Sequence, residues 1–425
     1  MDNQSCIRKV ATEMFGESFV LKTKQVEIID SLAGGSHTLA ILPTAYGKSI
    51  PYVLFGPLMD KLNPETRHMT LVVSPLKSLM MDQMRRWESH GIRTAAILGH
   101  SGMDMDRLTE NDLMNGERDL IFTSPEAIMS PKWWKWVRKF QERICLLVLD
   151  EVHCLTKWGL TFREEYLRVH TLRSRLTCPV LMLSATCTDR MVTAVCENLS
   201  LRREEVKIVA LSPDRPNIHL EIARVPNKQE ALGWYIEELK QKGTRARKTI
   251  IYARHIDHVS ELYLWINESL QKDGHSTGSE QPCTVHNRLS EMFHASTDID
   301  SQERISMNFS SKGSTLRCVI ATIAFGLGVD VPDVDTVIHW GPPSDVLSYW
   351  QETGRCGRDG RRGRAIMYLP PGSVNKRWLD DEMSDILKLS CCIRQSVLKA
   401  LFVPGMEQTR EQVGPCCSVC DTVNH

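Results

Sequence analysis

Short runs of apolar and β-branched residues that end in small, polar or acidic ones recur along the chain, and a stretch with helical spacing follows each of them. In the first half these runs are His37–Pro43, Thr70–Ser74, Leu120–Thr123, Leu146–Asp150 and Val180–Ser184. Continuous apolar runs of this length suit strands buried on both faces, and strands that alternate with helices form parallel sheets. A polar stretch around Ser212–Asn217 interrupts the series, which restarts with Lys248–Ala253, Arg317–Thr322, Thr336–Trp340 and Arg364–Tyr368. The pattern predicts an α/β chain of two tandem parallel-sheet domains, residues 1–210 and 211–370. The Gly-, Ser- and His-rich stretch Asp273–Pro282 reads as a surface loop inside the second. Residues 371–425 are helical in period and then rich in Gly and Cys, too short for another sheet. Trp133-Trp134-Lys135-Trp136-Val137-Arg138-Lys139 reads as a helix that buries tryptophans and turns its charges to solvent.

Composition removes several classes of function. With 425 residues, 42% hydrophobic and 24% charged, the chain can bury real cores, and disorder as its main state is excluded. The longest apolar runs, such as Ile144–Leu149, fall far short of the roughly 18–20 residues of a membrane span. The N-terminus carries Asp2, Glu13 and Glu17 and lacks the apolar core of a secretory signal, so an intracellular chain is expected. Lys+Arg and Asp+Glu are 52 each, which excludes a uniformly basic coat but not a local basic groove. Five of the fourteen cysteines, Cys391, Cys392, Cys416, Cys417 and Cys420, crowd the last segment. In a reducing compartment that crowding points to metal more than to disulfides.

Two motifs carry phosphate chemistry. Ala40-Ile41-Leu42-Pro43-Thr44-Ala45-Tyr46-Gly47-Lys48-Ser49 follows a strand and precedes a helical stretch, the context of a P-loop, with Leu42 where the general pattern has its first glycine. Backbone N–H groups of Thr44, Ala45, Tyr46 and Gly47 would wrap phosphates, Lys48 would neutralise the outer ones, and the Ser49 hydroxyl would hold Mg²⁺. About a hundred residues later, Leu146-Leu147-Val148-Leu149-Asp150-Glu151-Val152-His153 delivers two adjacent carboxylates to the C-terminal edge of a buried strand. Asp150 would hold Mg²⁺ and Glu151 would orient and deprotonate the attacking water. Either motif alone is weak. Their joint occurrence in this order marks an NTPase.

With these motifs in place, the chain resembles a superfamily 2 helicase of the RecQ type, with matching motifs from Phe15 to Asp359. The resemblance implies two RecA-like domains, ATP and Mg²⁺ as cofactors, and single-stranded and duplex DNA as partners, with no membrane. Gln25 matches the glutamine that reads adenine, and Lys22 stands where the family has arginine. Cys154-Leu155-Thr156-Lys157-Trp158-Gly159-Leu160-Thr161-Phe162-Arg163 resembles the aromatic-rich loop: Trp158 and Phe162 would stack on bases and Arg163 would lie near the nucleotide. Leu160-Thr161 replaces the usual His-Asp pair. Ser184-Ala185-Thr186 matches the motif that links ATP state to movement, with His153 as the expected receiver of its hydroxyls. Ser74, Lys77, Thr123 and Ser124 close strands with donors for the phosphates of one strand.

In the second half, Ala321–Asp330 resembles the glycine-containing turn that places Asp330 near the ribose. Gln351-Glu352-Thr353-Gly354-Arg355-Cys356-Gly357-Arg358-Asp359-Gly360 is highly specific to RecQ-like helicases. On a helix Gln351, Arg355 and Arg358 would share one face, and two guanidiniums together suit a γ-phosphate. Cys392, Cys417 and Cys420 match three ligands of the family's zinc module. Val423 stands where the fourth is expected, leaving His425 or Cys416 to complete a tetrahedral zinc site. The activity implied is ATP-dependent 3′-5′ DNA unwinding in repair or recombination, in the nucleus of a eukaryote or otherwise in the cytoplasm. Two alternatives stand beside it: a catalytically impaired DNA-binding relative, given Leu42, Tyr46 and Leu160-Thr161, and an RNA-remodelling DExH ATPase.

Overall fold

A computed structural model describes residues 3–43, 46–75, 77–98, 107–154, 169–274, 284–326, 331–375, 377–407 and 416–423. The chain divides into two compact units, Met1–Pro213 with Phe402–Thr409, and Asp214–Leu401 with Arg410–His425.

The first unit is built on β1 (His37–Ile41), β2 (Met69–Val73), β3 (Thr94–Ile97), β4 (Leu120–Thr123), β5 (Ile144–Leu149), β6 (Val180–Ser184) and β7 (Val206–Ala210). Among the described residues they form one sheet in the order β3-β4-β2-β5-β6-β1-β7, with every pairing parallel. Each residue of β2 and β5 is buried, as central strands covered on both faces require. The helix Pro131–Phe140 starts with proline after Ser130 and buries Trp133, Trp136, Val137 and Phe140, one stripe at helical spacing. Lys135, Arg138 and Lys139 face solvent, as expected from the sequence. The stretch Phe402–Thr409 belongs to this unit, where Val403 and Met406 join the core and Glu407 pairs with Lys24 at 2.9 Å.

The second unit holds β8 (Ile218–Arg224), β9 (Thr249–Ala253), β10 (Ser290–Phe293), β11 (Cys318–Ala321), β12 (Thr336–Trp340) and β13 (Gly363–Leu369). Their order is β10-β11-β9-β12-β13-β8, again parallel throughout. The helices Asp381–Ile386, Ile393–Ala400 and Ser418–Val423 belong to the same unit. Arg394, 3% exposed, ties this tail to the unit's first residues: it donates to Asp214 at 2.7 Å, to the Arg215 carbonyl at 2.9 Å and to the Ile218 carbonyl. A buried guanidinium that binds three acceptors through its two terminal nitrogens is a structural clamp.

The expected α/β architecture of two parallel sheets is what the structure has. β3, β7, β8 and β10 add to the strands read from the sequence. β8 alternates buried and half-exposed positions because it is an edge strand, so its polar His219 and Glu221 hide it from a search for apolar runs. No described helix is long and apolar enough to cross a membrane. Of the loop Asp273–Pro282, the part from residue 275 onward lies outside the described residues.

Candidate nucleotide site, arginine turn and cysteine cluster

Because all seven strands of the first unit run parallel, their C-terminal ends meet at one edge, where ligands of open α/β sheets bind. The P-loop leaves β1 there. Gly47 has φ +90°, and a Cβ on it would lie 2.7 Å from Gln25 Nε2, so only glycine fits. Lys48 turns back, its ammonium donating to the Leu42 carbonyl at 3.3 Å, and Ser49 opens the helix Ser49–Leu62. Gln25 is 3% exposed and committed to the loop: Nε2 donates to the carbonyls of Tyr46 (3.2 Å) and Gly47 (3.0 Å), while Oε1 accepts from Lys22 N (2.9 Å). Lys22 Nζ donates to the Tyr46 carbonyl at 3.0 Å and lies 4.4 Å from the centroid of the Tyr46 ring. The two residues expected to face adenine thus also hold the phosphate loop in shape. Thr44 and Ala45 lie outside the described residues.

Asp150 and Glu151 follow β5 at the same edge. The Asp150 N–H donates to the Val73 carbonyl at 2.9 Å, and Asp150 Oδ1 accepts from Glu151 N at 3.0 Å. Glu151 has φ +50°, a left-handed conformation costing a non-glycine residue about 1–3 kcal/mol, the strain typical of a site whose surroundings fix the backbone. The neighbouring bonds Val152 N to Leu183 O and Cys154 N to Glu151 O, both 2.9 Å, hold it there. Burial, and then the charge of Glu151, push the Asp150 carboxyl up to about 7. His153 Nδ1 lies 3.2 Å from Glu151 Oε2 and 3.2 Å from Ser184 Oγ. Burial disfavours its charged form, but Cys154 and Glu151 together outweigh that, and the imidazole titrates above its ordinary range. Ser184 Oγ donates to the Thr186 carbonyl at 2.6 Å. An unbroken relay of polar contacts therefore runs from Glu151 through His153 to Ser184 and Thr186.

Ser74, Thr123 and Ser124 lie at the ends of β2 and β4 on this edge. Ser124 Oγ accepts from Ala127 N at 3.2 Å and caps the helix Pro125–Ile128, so that hydroxyl is committed to structure. Ser74 Oγ is buried with no hydrogen-bond partner among the described residues. Lys77 is exposed at the start of the helix Lys77–Glu88. Trp158, Phe162, Arg163 and Asp330 lie outside the described residues.

In the second unit the helix Val346–Thr353 carries Gln351 and ends at Gly354. Arg355 and Arg358 therefore lie beyond the helix, which corrects the expectation that the three share one helical face. The reason is glycine. Gly357 has φ +60°, and a Cβ there would lie 2.6 Å from Asn217 Nδ2 and 2.8 Å from the Arg361 carbonyl. Two side chains that the sequence reading passed over build this turn. Arg215 donates to the carbonyls of Gly354 (3.1 Å), Cys356 (3.2 Å) and Gly357 (2.7 Å). Asn217 Nδ2 donates to the carbonyls of Gly357 and Arg361, both at 2.8 Å. Both lie in the polar stretch read as a domain boundary, and no motif marks them. Beneath the turn, buried Glu352 pairs with His339 Nε2 at 2.9 Å.

The tail brings four thiols together. The ligand atoms of Cys392, Cys416, Cys417 and Cys420 all lie within 4.8 Å of one another, a group able to hold a metal ion. Sulfur separations are 3.4 Å for Cys392–Cys416, 3.5 Å for Cys417–Cys420, and 3.9 Å for Cys392–Cys417 and Cys416–Cys420. Of the two residues left to complete the set, the structure places Cys416 there, and His425 lies outside the described residues. Burial, then the Cys417 and Cys392 sulfurs, push Cys420 up to about 11. Burial opposes a Cys417 thiolate, but backbone groups at Cys420 and Ile393 outweigh it and lower its pKa. The cluster is moored to edge strand β8 by Leu220 N donating to the Cys416 carbonyl at 3.3 Å and by His219 Nε2 at 3.0 Å from Asp421.

Comparison with known proteins agrees with this geometry. Residues 22–195 match the DEAD/DEAH box helicase family and residues 228–360 the helicase conserved C-terminal domain. The chain is 32% identical over 368 residues to the ATP-dependent helicase wrn-1 of Caenorhabditis elegans, covering 85% of this chain and 32% of that protein. It is 29% identical to the ATP-dependent DNA helicase RecQ of Haemophilus influenzae, covering 87% and 54%. To the ATP-dependent DNA helicase RecQ of Synechocystis it is 30% identical, covering 84% and 69%. The chain thus spans from a third to about half the length of the first two relatives. Among solved structures, the DUF1998 helicase MrfA bound to DNA superposes with a TM-score of 0.64 at 20% identity, covering 87% of this chain and 52% of that one. Mss116p bound to ssRNA and AMP-PNP gives 0.65 at 18%, covering 92% and 75%. These two show the shared fold. Motifs, fold and relatives together establish that the chain belongs to the RecQ family of DEAD/DEAH-type helicases.

Proposed function

We propose that the chain is an ATP-dependent DNA helicase that couples hydrolysis to 3′-5′ movement on a single strand and to duplex unwinding in repair or recombination. The observation that carries this reading is the contact chain Glu151–His153–Ser184–Thr186 on the sheet edge that also carries the P-loop. It joins the base that would activate water to the motif that would report nucleotide state. Lys48 and the backbone of Thr44–Gly47 hold the phosphates, with Gln25 and Lys22 at the adenine. Hydroxyl and carboxylate oxygens suit Mg²⁺, and Asp150, its proton held by burial and by Glu151, sits in a site with more negative charge than it can keep without a cation. Ser49 and Asp150 would hold the ion, which when bound would supply positive charge to the phosphates. Glu151 accepts the proton of the attacking water, and Arg355 and Arg358 stabilise charge on the γ-phosphate with Gln351 beside them. Asp330 takes the ribose.

DNA contacts fall to Lys77 on the backbone, since Ser74, Thr123 and Ser124 are buried and their side chains do not reach the surface, and to Trp158, Phe162 and Arg163 in the aromatic-rich loop. The relatives named as DNA helicases support DNA over RNA. For the cysteine cluster the metal is zinc: a tetrahedron with Zn–S of about 2.3 Å has S···S edges of about 3.8 Å, and the sulfur separations bracket that value. The working compartment is the one that holds the DNA, the nucleus in a eukaryote or otherwise the cytoplasm. The test is ATP hydrolysis with and without single-stranded DNA and RNA. DNA should stimulate turnover more than RNA, Lys48→Ala should abolish it while DNA still binds, and Glu151→Gln should retain ATP and stall. Equal or greater stimulation by RNA, or normal turnover in Glu151→Gln, would refute the assignment.

A further inference from the structure

In the second unit, one aromatic and cationic cluster has no part in the nucleotide site or the thiol group. β9 ends at Ala253, and the next residues, Arg254 and His255, enter the helix Ile256–Leu270. The Arg254 guanidinium lies 5.0 Å from the centroid of Trp378. The His255 ring stands edge-on to the same indole, with centroids 6.0 Å apart at 71°, and His258 stands edge-on to His255 at 5.7 Å. Trp378 is 50% exposed. Its backbone is held, since the Trp378 main-chain N–H donates to the Asn375 carbonyl at 3.0 Å, Arg377 N donates to Asn375 Oδ1 at 3.0 Å and Asp380 N donates to the Ser344 carbonyl at 2.9 Å, while Arg254 and His255 pack on the ring. A large indole held in place yet half in water is not there to fill a core.

Charge decides the occupant. Neither Arg254 nor Arg377 forms an ion pair among the described residues, and both are exposed. The sequence through the indole is Asn375-Lys376-Arg377-Trp378-Leu379-Asp380-Asp381-Glu382, with two cations before the ring and three carboxylates after it, of which Asp380 caps the next helix by accepting from Met383 N at 2.6 Å; Asp257 is the single carboxylate in the run 254–258. An aromatic face beside unpaired guanidiniums fits a nucleotide, whose base stacks while its phosphate meets the cation. We propose that Trp378, with Arg254 and His255, is a stacking platform for an unpaired base of a DNA single strand, a contact that no motif of the sequence marks. The proposal deepens the reading of the chain as a DNA-dependent ATPase and rests on it. Every base has a π face, so the platform reads no sequence.

The experiment is a titration of a fluorescently labelled oligo-dT by anisotropy, at several salt concentrations and without nucleotide, repeated with a strand of abasic residues. Trp378→Ala should weaken binding to oligo-dT about tenfold, Trp378→Phe should stay within about threefold of the parent, and the abasic strand should bind both alike. Arg254→Ala should reduce the slope of log affinity against log salt by about 0.7, the share of one phosphate on a single strand. Unchanged affinity in Trp378→Ala, an equal loss in Trp378→Phe, or a loss that persists on the abasic strand would each overturn the platform. Melting curves of the variants report folding separately. Failure of the parent chain to bind any DNA strand would refute the proposed function itself, a result the parent titration gives before any variant is made.

Discussion

Replacing Gly357 by alanine probes whether the arginine turn, rather than a helix, sets the chemistry. The structure supplies the magnitude in three parts. At φ +60° an L-residue costs about 1–2 kcal/mol. The new Cβ would lie 2.6 Å from Asn217 Nδ2, which must move and lose its bonds to the Gly357 and Arg361 carbonyls, worth about 1 kcal/mol each. The third part is the 2.8 Å approach to the Arg361 carbonyl, which a rotamer change cannot relieve because it is backbone. The sum is about 3 kcal/mol or more, enough to lower the melting temperature of a unit this size by roughly 6–12 °C. Arg355 and Arg358 flank the distorted residue, and a misplacement of about 1 Å can cost a hundredfold in rate. Gly357→Ala should therefore cut kcat for ATP by about ten- to a hundredfold while KM for ATP changes little. Asn217→Ala should cost about 2 kcal/mol by removing the same two bonds, and the double variant should be less destabilised than the sum, since the bonds can be lost only once. Parent-like melting and turnover in Gly357→Ala would refute the reasoning, and strict additivity would refute the shared cause.

Three further outcomes follow. Asp150, raised from 3.8 to about 7, binds its proton more tightly folded than unfolded, so the stability this adds is full below about pH 4 and is lost as pH rises through about 7. In chelator, Asp150→Asn should therefore melt higher than the parent at pH 8, with the difference shrinking as pH falls and gone below about pH 4; a difference that does not change with pH would contradict the buried charge. Because Mg²⁺ competes with that proton, the Mg²⁺ requirement for hydrolysis should ease between about pH 6 and pH 8, and a flat dependence would remove Asp150 as a ligand. With Cys416 as the fourth thiol, metal analysis should find about one zinc per chain, lost to chelator faster in Cys416→Ser and unchanged in His425→Ala; the reverse pattern would return the fourth position to His425.

The sequence marks what is continuous and local. β2 and β5 are unbroken apolar runs because they are buried on both faces, and strand-GKS and strand-DExH announce themselves because each motif is one short segment. Contacts between distant segments leave no such trace. Arg215 and Asn217 hold a turn about 140 positions away, and Gln25 braces a loop about 20 positions on. The supposed helical face of Gln351, Arg355 and Arg358 shows the limit of spacing arguments: the period was right for a helix, but Gly354 and Gly357 stop one. In the tail, Val423 at the expected position leaves the fourth ligand open in sequence between His425 and Cys416, and the fold gathers Cys416 with the other three thiols beside β8.

The claim that hydrolysis drives strand separation is tested most directly by displacement of a labelled strand from duplexes carrying either a 3′ or a 5′ single-stranded tail. The account predicts ATP- and Mg²⁺-dependent displacement from the 3′-tailed duplex, absent in Lys48→Ala. Displacement only from the 5′-tailed duplex would contradict the direction, and none from either, in a chain that hydrolyses ATP with DNA, would contradict unwinding itself.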